Sequence, residues 1–471
     1  MMIENISDIP KYVVNNTVQN TLDFKELAQG NEIFTIRNES VFDVLQYGYI
    51  LGESTLVKEV QRESIIDEGK LFQYYEKQEI ENVTNIPRHI FNLLVKEVED
   101  YTDGFKNVGI LLSGGLDSRV LAGVLKHVQS YKNFNVKILT WGLSDSRDII
   151  YAKRIADIYG WDIDVFYQNS NTLMNGIYNN SEIGCETNPV NLHSLKKVSK
   201  SRLDIILAGS FGDAIGRAEY SGNKVENMPS VSQGSRDKLG LFKDKFVEQR
   251  NINIKQKEDE FYLSFKSRHI NRDILKEILM LKNHHMKYLQ VAMSIIDQRI
   301  PLKQIFTSYE LISFVFNLDY SYRYNKLYEE LLDLLPMKIG EIPWARTGRP
   351  FINKTSQTPF DNYSPSHHNY TLWLSENSGI ITDMINLELL NEIGIFNINN
   401  IKKSISLIKK RNHKKLDRVD RSVIWLASFC NMVNENSNIK VFNSAFKNSI
   451  KDYINTGSFE AKQQYLKFKN K

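Results

Sequence analysis

Two glycine-rich turns that each carry an aspartate are the parts of this sequence best suited to phosphate chemistry. The first is the run Ser113-Gly114-Gly115-Leu116-Asp117-Ser118, and the second is the run from Leu207 to Gly216, which contains Asp213. Glycine allows a ligand to come close to the main chain, and carboxylate oxygens are the ligands that Mg²⁺ prefers. The first turn therefore predicts a phosphate site with Asp117 as a metal ligand.

The elements around the first turn fit this interpretation. The apolar run from Val108 to Leu112 predicts a short buried strand, and apolar residues at helical spacing from Leu116 to Val128 predict a helix. A strand, a glycine turn and a helix in this order aim backbone N–H groups and the positive end of the helix at one point. Ser113 and Ser118 add hydroxyl donors. The alternative is a turn that only connects a strand to a helix.

The run Ser113 to Ser118 resembles the PP-loop of the ATP pyrophosphatase group, whose members cleave ATP between the α- and β-phosphates. It has no Walker A lysine, so it does not resemble the loop of kinases and GTPases. The resemblance implies ATP and Mg²⁺ as ligands. The implied nucleotide-binding residues in this region are Leu111, Ser113, Gly114, Gly115, Leu116, Asp117 and Ser118.

Strand and helix patterns alternate after this loop. Strands are predicted at Val136–Trp141, Ile163–Phe166 and Asp204–Leu207, with a helix at Asp148–Tyr159. Such alternation predicts an α/β fold with a doubly wound parallel sheet, whose ligands lie beyond the carboxyl ends of the strands. The resemblance implies the adenine nucleotide alpha hydrolase-like form of this fold. It also implies that the main chain at Thr140 and Gly142 holds the adenosine.

The second turn resembles the Ser-Gly-Glu-Gly-x-Asp-Glu motif of asparagine synthetases. Gly209, Gly212 and Asp213 match that motif, whereas Ser210 stands where the family has a glutamate. The resemblance implies that Asp117 and Asp213 hold one Mg²⁺ against pyrophosphate and that Asp213 is catalytic. Ser210 argues against aspartate as the substrate. The alternative for Asp213 is a solvated turn aspartate.

Three further segments follow in the family's order. Arg299 matches the arginine of an E-x-R-x-P segment at the substrate cleft, while Gln304 replaces an aspartate. Lys326 matches a lysine that meets the phosphates and is the implied catalytic cation, although a single lysine ahead of a helix is commonly solvated. The loop 343–350 carries two arginines, and is either a phosphate-contacting loop or a domain-boundary turn.

The chain is predicted to have three parts: an N-terminal glutaminase-like remnant at 1–85, the PP-loop domain at 86–350 and a helical extension at 351–471. The remnant is predicted to be β-rich, with strand-like patterns at Asn31–Ile36 and Val41–Leu45. No cysteine precedes Cys185, so we do not expect the chain to hydrolyse glutamine. Residues 221–260 are polar and predict a mobile surface loop, which is a candidate lid.

Composition sets wide bounds. The 471 residues are 42% hydrophobic and 25% charged, with a net charge of +4, which neither requires nor excludes an anionic partner. The two cysteines predict free thiols. The absence of an apolar signal or membrane-spanning run predicts a cytoplasmic protein without a membrane partner. The pairs His284-His285 and His367-His368 lack metal-ligand spacing and receive no function.

The resemblance to asparagine synthetases implies a protein that activates a small-molecule or peptide carboxylate as an acyl-adenylate. The expected amine donor is ammonia, which a separate glutaminase can supply, or an amine of the substrate. One alternative is a PP-loop enzyme acting on tRNA, which the basic run 401–421 suggests, although a solvated helix face is the commoner cause of such a run. The other is a non-catalytic nucleotide-binding relic. The sequence does not predict an oligomeric state.

Overall fold

The computed structural model describes most of the chain and leaves several short segments and both ends aside. Residues 31 and 32 of the predicted N-terminal strand and residues 411–416 of the basic run lie outside the described part. The described residues are 5–6, 12–14, 17–19, 33–63, 66–76, 83–220, 222–234, 237–268, 270–352, 361–410, 417–444 and 446–459.

A five-stranded parallel sheet forms the centre of the molecule and confirms the predicted α/β fold. Its strands are β1 (Asn107–Leu111), β2 (Asn135–Gly142), β3 (Asp162–Tyr167), β4 (Ile205–Ala208) and β5 (Leu302–Gln304). Their order across the sheet is β5-β4-β1-β2-β3, and all neighbouring pairs are parallel. The four strands expected from the sequence are therefore present, with each end shifted by one residue.

The strand order explains where a ligand can bind. From β1 the chain moves outward through β2 to β3, and then returns to place β4 on the other side of β1. The loops after β1 and β4 consequently leave the same edge of the sheet in opposite directions and open a crevice between them. The two glycine-rich turns predicted to bind phosphate are these two loops.

Both faces of the sheet are covered, because successive strand residues point to opposite sides. Ile138 and Leu207 belong to one buried apolar cluster, and their neighbours Leu139 and Ile206 belong to another. The helix Leu116–Gln129 packs in the first cluster, and its buried residues follow helical spacing from Leu116 to Val128. The apolar runs of the strands are continuous because both sides are buried.

Helices account for most of the remaining chain, including the C-terminal part that was predicted to be helical. Two π-helical segments, Leu281–Leu289 and Tyr322–Lys326, lead into α-helices, and short 3₁₀ turns occur at Pro189–Asn191, Val225–Asn227, Lys266–Arg268 and Pro336–Glu341. The α-helices are Asn38–Tyr47, Glu68–Glu76, Ile86–Thr102, Leu116–Gln129, Arg147–Tyr159, Ser170–Glu182, Leu195–Val198, Gly212–Arg217, Val231–Gly234, Asp244–Ser264, Arg272–Met280, Gln290–Asp297, Tyr309–Phe316, Leu327–Asp333, Tyr370–Glu376, Ser378–Asp383, Leu387–Ile393, Ile398–Lys410, Arg418–Glu435 and Ile450–Gly457.

The remaining strands are short and lie outside the central sheet. In the N-terminal part, three antiparallel strands are ordered Thr17–Gln19, Tyr12–Val14, Val60–Arg62. The N-terminal part also contacts the C-terminal part, since Phe34–Thr35 pairs in parallel with Ile439–Lys440. Two antiparallel pairs complete the set, Glu219–Tyr220 with Asn223–Lys224 and Pro343–Trp344 with Arg349–Pro350.

Two local predictions are wrong. The segment Val41–Leu45, predicted as strand-like, lies within the helix Asn38–Tyr47. The segment 221–260, predicted as a mobile loop, contains most of the 21-residue helix Asp244–Ser264 and buried residues such as Phe242. Arg250 and Glu258 lie on the buried face of that helix, and a polar sequence with buried charges does not show the apolar stripe of an ordinary surface helix.

Among the described helices, none combines the length and the apolar composition needed to cross a lipid bilayer. Cys185 and Cys430 are both buried free thiols, as their number and spacing predicted.

Candidate functional site

The turn 113–118 after β1, the predicted nucleotide turn, is held in shape by its own serines. The Ser113 amide donates to Ser118 Oγ at 3.2 Å, and the Gly115 amide donates to Ser113 Oγ at 3.1 Å. The two hydroxyl oxygens lie 3.2 Å apart. No side chain caps the helix that starts at Leu116, so the N–H groups of its first turn remain directed at the crevice.

Neighbouring elements fix Gly114 on both sides. Its amide donates to Asp148 Oδ1 at 2.9 Å, and its carbonyl accepts from the Ala345 amide at 3.0 Å. A Cβ at Gly114 would lie 2.7 Å from the Ala345 Cβ and 2.9 Å from the ring of Tyr151. Only glycine fits between these two elements. The turn is therefore held in one shape, with the loop 343–350 packed directly on it.

Arg119 connects the loop 343–350 to the nucleotide turn by hydrogen bonds. Its fully buried guanidinium donates to the carbonyl of Ile342, to that of Pro343 at 2.9 Å and to that of Gly114 at 3.4 Å. Burial lowers the pKa of Arg119 to about 9. Neutral carbonyl oxygens stabilise this charge, so the side chain acts as a structural clamp.

The two predicted aspartates come together across the crevice. The Asp117 carboxylate packs against Gly212, where a Cβ would lie only 2.5 Å from Asp117 Oδ1. At Gly209 a Cβ would lie 3.0 Å from the Asp117 carbonyl oxygen. Asp213 follows Gly212 directly, at the start of the helix Gly212–Arg217. Glycines of the second turn thus make the space in which the Asp117 side chain lies.

The pKa values of both carboxylates, Asp117 and Asp213, are raised in the folded protein. Burial and then the charge of Asp213 raise the pKa of Asp117 well above its usual range, although the Tyr328 hydroxyl, which donates to Asp117 Oδ1 at 2.6 Å, opposes this. Burial also raises the pKa of Asp213, against the effect of Arg217. Two partly buried carboxylates that repel each other favour a shared cation.

Two arginines, Arg217 and Arg346, partly compensate the negative charge of Asp213. Arg217, which the sequence analysis missed, donates to Asp213 at 2.9 Å and pairs with Glu219 at 2.7 Å. Arg346 pairs with Glu219 at 2.6 Å and lies 3.8 Å from Asp213, with 47% of its side chain exposed. The position of Arg217 four residues after Asp213 on one helix was a signal that could have identified it.

A cavity of about 300 Å³ opens above the crevice. It is bounded by the nucleotide turn, the ends of β2 and β4, and three side chains from more distant segments. Of the residues predicted to bind nucleotide, seven line it: Leu111, Ser113, Gly115, Asp117, Ser118, Thr140 and Gly209. Seven of the eleven residues predicted to bind nucleotide therefore lie at this cavity, and nucleotide binding by them stays a prediction.

Other predicted residues support the cavity without lining it. Gly114 is enclosed between Ala345 and Tyr151. Leu116 is buried in the core, and Gly212 contacts Asp117. Gly142 packs against Ser146 and His367. Asp213 directs its carboxylate at Arg217, outside the lining. Their roles in binding stay predictions.

Lys326 and Arg299 are not brought to the cavity. Lys326 is exposed, and its ammonium lies 5.4 Å from the centre of the Tyr322 ring. Arg299 is also exposed and does not line the cavity. From the same region as Lys326, Tyr328 is the residue that reaches the site, where it contacts Asp117. The catalytic role of Lys326 stays a prediction without support from this geometry.

Distant residues that no local pattern indicated complete the cavity wall. They include His193, Met293 and His367, the last of which had been given no function. His367 reaches the cavity because its carbonyl accepts the Leu143 amide at 3.0 Å and Ser364 pairs with the same loop after β2. Asp148 also lines the cavity, 3.6 Å from His367.

Comparison with known sequences agrees with this geometry. A family model described as asparagine synthase matches residues 89–330, which is more than half of the chain and contains all five strands of the sheet.

The chain belongs to the asparagine synthase family. It is also 38% identical over 93 residues to an asparagine synthetase (glutamine-hydrolyzing) of Pongo abelii. That match covers 19% of this chain and 16% of the relative. The chain therefore corresponds to a small part of that relative's length, and membership of the asparagine synthase family is carried by the central domain.

The residues present fit ATP with Mg²⁺. The glycine cradle would be filled by a Cβ at Gly115 or Gly212, and the uncapped helix offers N–H groups to phosphate oxygens. Asp117 and Asp213 supply two carboxylates, which suits a metal that keeps water and binds phosphate oxygens. Among the described residues, no group of three or more His, Cys, Asp or Glu side chains forms a metal centre made by protein alone.

Proposed function

We propose that this protein is an ATP-dependent amide-bond-forming synthetase of the asparagine synthetase type. The observation that carries the proposal is the meeting of the two glycine turns, with Asp117 packed against Gly212 where the loops after β1 and β4 diverge. Membership of the asparagine synthase family supports the reaction class.

The proposed reaction has two steps. A carboxylate oxygen of the substrate attacks the α-phosphorus of ATP, which forms an acyl-adenylate and releases pyrophosphate. An amine nitrogen then attacks the acyl carbon, so that an amide forms and AMP leaves with the bonding electron pair. We propose ammonia or a substrate amine as the nitrogen donor.

The chain's own residues act by position and charge. The turn N–H groups and the start of the helix at Leu116 would hold phosphate oxygens, and Asp117 and Asp213 would hold Mg²⁺, which would neutralise charge on pyrophosphate. Arg346 lies 3.8 Å from Asp213, whereas the Lys326 ammonium lies against the Tyr322 ring, so Arg346 is the cation closer to the proposed metal ligands. The hydrogen bonds of Gly114 with Asp148 and Ala345 keep this arrangement fixed before the ligand binds.

Exchange of labelled pyrophosphate into ATP tests the first step. The full chain is incubated with ATP, Mg²⁺, labelled pyrophosphate and a panel of carboxylic acids, and we expect exchange that depends on one class of acid. Asp117→Asn should reduce that exchange at least 100-fold. Asp103→Asn, at an exposed aspartate paired with Lys132, is the matched control and should retain it. ATP binding without exchange for any acid would support a nucleotide-binding relic.

The structure gives no specific reason to propose a tRNA substrate. In the described part of the basic run, Lys403 donates to the Thr456 carbonyl and Lys409 pairs with Asp383. The helix Ile398–Lys410 buries Ile401 and Ile408 on its other side. Its lysines therefore form the solvated and packed face of an amphipathic helix.

A further inference from the structure

A second cavity lies apart from the crevice, at the last two arginines of the basic run 401–421. Its volume is about 270 Å³, and we call it the arginine cavity because Arg418 and Arg421 line it. Lys238 lines it as well, and among the described lining residues Asp417 is the only carboxylate. Three cations and one anion around a single cavity favour an anionic ligand.

Arg418 and Arg421 keep most of their donors for such a ligand. Residues three apart on a helix share a face, so the two side chains are neighbours. In the part of the chain that the structure describes, the Arg418 side chain has neither a hydrogen-bond nor an ion-pair partner. Arg421 Nε donates to Asp417 Oδ1 at 3.4 Å, and this pair is weak because the two side chains are 46% and 52% exposed. Each guanidinium carries five N–H donors in a planar fork that matches phosphate oxygens.

The first turn of the helix Arg418–Glu435 adds further donors at the same place. The Asp417 side chain does not cap this helix, and the Arg421 amide makes its first backbone bond, to the Asp417 carbonyl at 2.9 Å. The N–H groups ahead of Arg421 are therefore directed out of the helix end. Ser422 also lines the cavity and is 4% exposed, and no described residue is a hydrogen-bond partner of its hydroxyl. A buried hydroxyl without a partner in the chain points to a bound group that completes it.

Aromatic rings form another part of the wall. Tyr47, His284 and Tyr288 line the arginine cavity, and the rings of His284 and Tyr288 stack with their centroids 5.2 Å apart. Burial lowers the pKa of His284 to about 4, so this ring is uncharged at neutral pH. Stacked, uncharged rings suit a flat apolar group on the ligand.

A hydrogen-bonded layer separates the arginine cavity from the cavity above the crevice. The Asn188 side chain lines the arginine cavity, donates to the Arg421 carbonyl at 3.0 Å and accepts the Val190 amide at 3.3 Å. The Tyr370 hydroxyl donates to the Val190 carbonyl at 2.7 Å and lies 2.8 Å from His193 Nδ1, which belongs to the other cavity. The described walls of the two cavities have no residue in common. The arginine cavity is therefore a site of its own.

We infer that the arginine cavity binds a small organic phosphate, namely a phosphate monoester whose body carries a flat ring. The phosphate oxygens would accept from Arg418, Arg421 and the Ser422 hydroxyl, and the ring would lie against the tyrosine and histidine rings of the wall. A volume of about 270 Å³ suits one small molecule and not a nucleic-acid strand. This site is additional to the amide synthetase reaction and does not depend on it.

Isothermal titration of the full chain with phenyl phosphate tests the site, because this probe carries one ring and one phosphate group. We expect one binding site per chain, with inorganic phosphate and phenol each binding at least tenfold more weakly. Arg418→Gln and Arg421→Gln should each weaken the binding of phenyl phosphate at least tenfold. Both side chains are partly exposed, so these changes leave the core intact. Arg202→Gln, at an exposed arginine just ahead of β4, is the matched control and should bind phenyl phosphate as the wild type does.

Four results would overturn the inference. The first is no binding of phenyl phosphate, and the second is an affinity that neither arginine variant changes. The third is binding that Ser118→Ala weakens and the arginine variants do not, since it would place the probe at the nucleotide turn. The fourth is phenol or inorganic phosphate binding as tightly as phenyl phosphate, because the ligand would then need no phosphate or no ring.

Discussion

Asp117 receives one side-chain hydrogen bond, from a tyrosine that lies 211 residues further along the chain. The Tyr328 hydroxyl also lies 2.5 Å from the position a Cβ would take on Gly212, so it fills the space between the two turns. The bond fixes the orientation of the Asp117 carboxylate, which is partly buried and repelled by Asp213. Tyr328 is a positioning residue in this proposal, because it acts through Asp117.

Removing this hydroxyl should weaken metal-dependent binding. We expect Tyr328→Phe to raise about tenfold the Mg²⁺ concentration needed for half-maximal ATP binding, since residues that orient metal ligands typically contribute about 10–100-fold in affinity. Isothermal titration of ATP at several Mg²⁺ concentrations measures the effect. Tyr322→Phe is the matched control, because its hydroxyl donates to Glu330 at 2.6 Å away from the cavity. An unchanged Mg²⁺ dependence in Tyr328→Phe would contradict the role assigned to this bond.

At the scale of elements, the helix Ile86–Thr102 fixes the chain that follows β5. Glu97 is fully buried on that helix and accepts the amides of Phe306 at 2.8 Å, Thr307 at 3.0 Å and Ser308. Phe306 has a positive φ of 66°, a backbone conformation that residues other than glycine rarely adopt. The carboxylate therefore holds a strained turn at the edge of the sheet next to the site.

This contact predicts a dependence of stability on pH. Burial raises the pKa of Glu97 from 4.5 to about 7, so the folded protein binds this proton more tightly than the unfolded chain. Its contribution to the free energy of unfolding is complete below pH 4.5 and decreases as the pH rises through 7, by roughly 1–3 kcal/mol.

Urea unfolding at pH 5 and pH 8 measures this contribution. Glu97→Gln should be less stable at both values and should lose less stability than the wild type between them. Glu329→Gln, at an exposed glutamate, controls for the loss of one carboxylate. Equal losses between pH 5 and pH 8 in the wild type and Glu97→Gln would contradict the assignment.

At the scale of the whole molecule, the N-terminal strands are packed into the rest of the protein. Arg62 and the Tyr12 hydroxyl both contact Glu186, which follows the helix Ser170–Glu182, and the Tyr12 bond is 2.9 Å long. The side chains of Arg62 and Glu186 are 0% and 3% exposed. The N-terminal part thus shares a buried charged contact with the central domain.

Removing one partner should destabilise the entire fold. Glu186→Ala leaves Arg62 buried without its partner, and we expect the free energy of unfolding to fall by about 3–5 kcal/mol. Glu182→Ala is the control, since its pair with Lys196 is 37% and 46% exposed and should contribute about 0–1 kcal/mol. Urea denaturation followed by circular dichroism compares them. Similar losses in both variants would contradict the integration of the N-terminal strands.

Local patterns predicted the strands, the first helix and the nucleotide turn because neighbours in sequence create these features. They failed for Asp244–Ser264, where buried Arg250 pairs with Asp43 and buried Glu258 accepts the amides of Val231 and Ser232. Those partners lie elsewhere in the chain, so the helix has no apolar stripe that a window of sequence could reveal. The helix Asn38–Tyr47 was missed for the same reason, since it buries Asp43 against Arg250.

The sequence by itself determined four of the five strands, the glycine turn after β1 and the positions of Asp117 and Asp213 beside the glycine turns, because strand periodicity and glycine turns depend on adjacent residues. Only the tertiary structure decided that Tyr328 and not Lys326 reaches Asp117, and that His193, Met293 and His367 close the cavity. These residues approach from segments far apart in the chain, and their positions depend on how helices and loops pack against the sheet. The closure of the cavity is therefore a property of the packing and not of any motif.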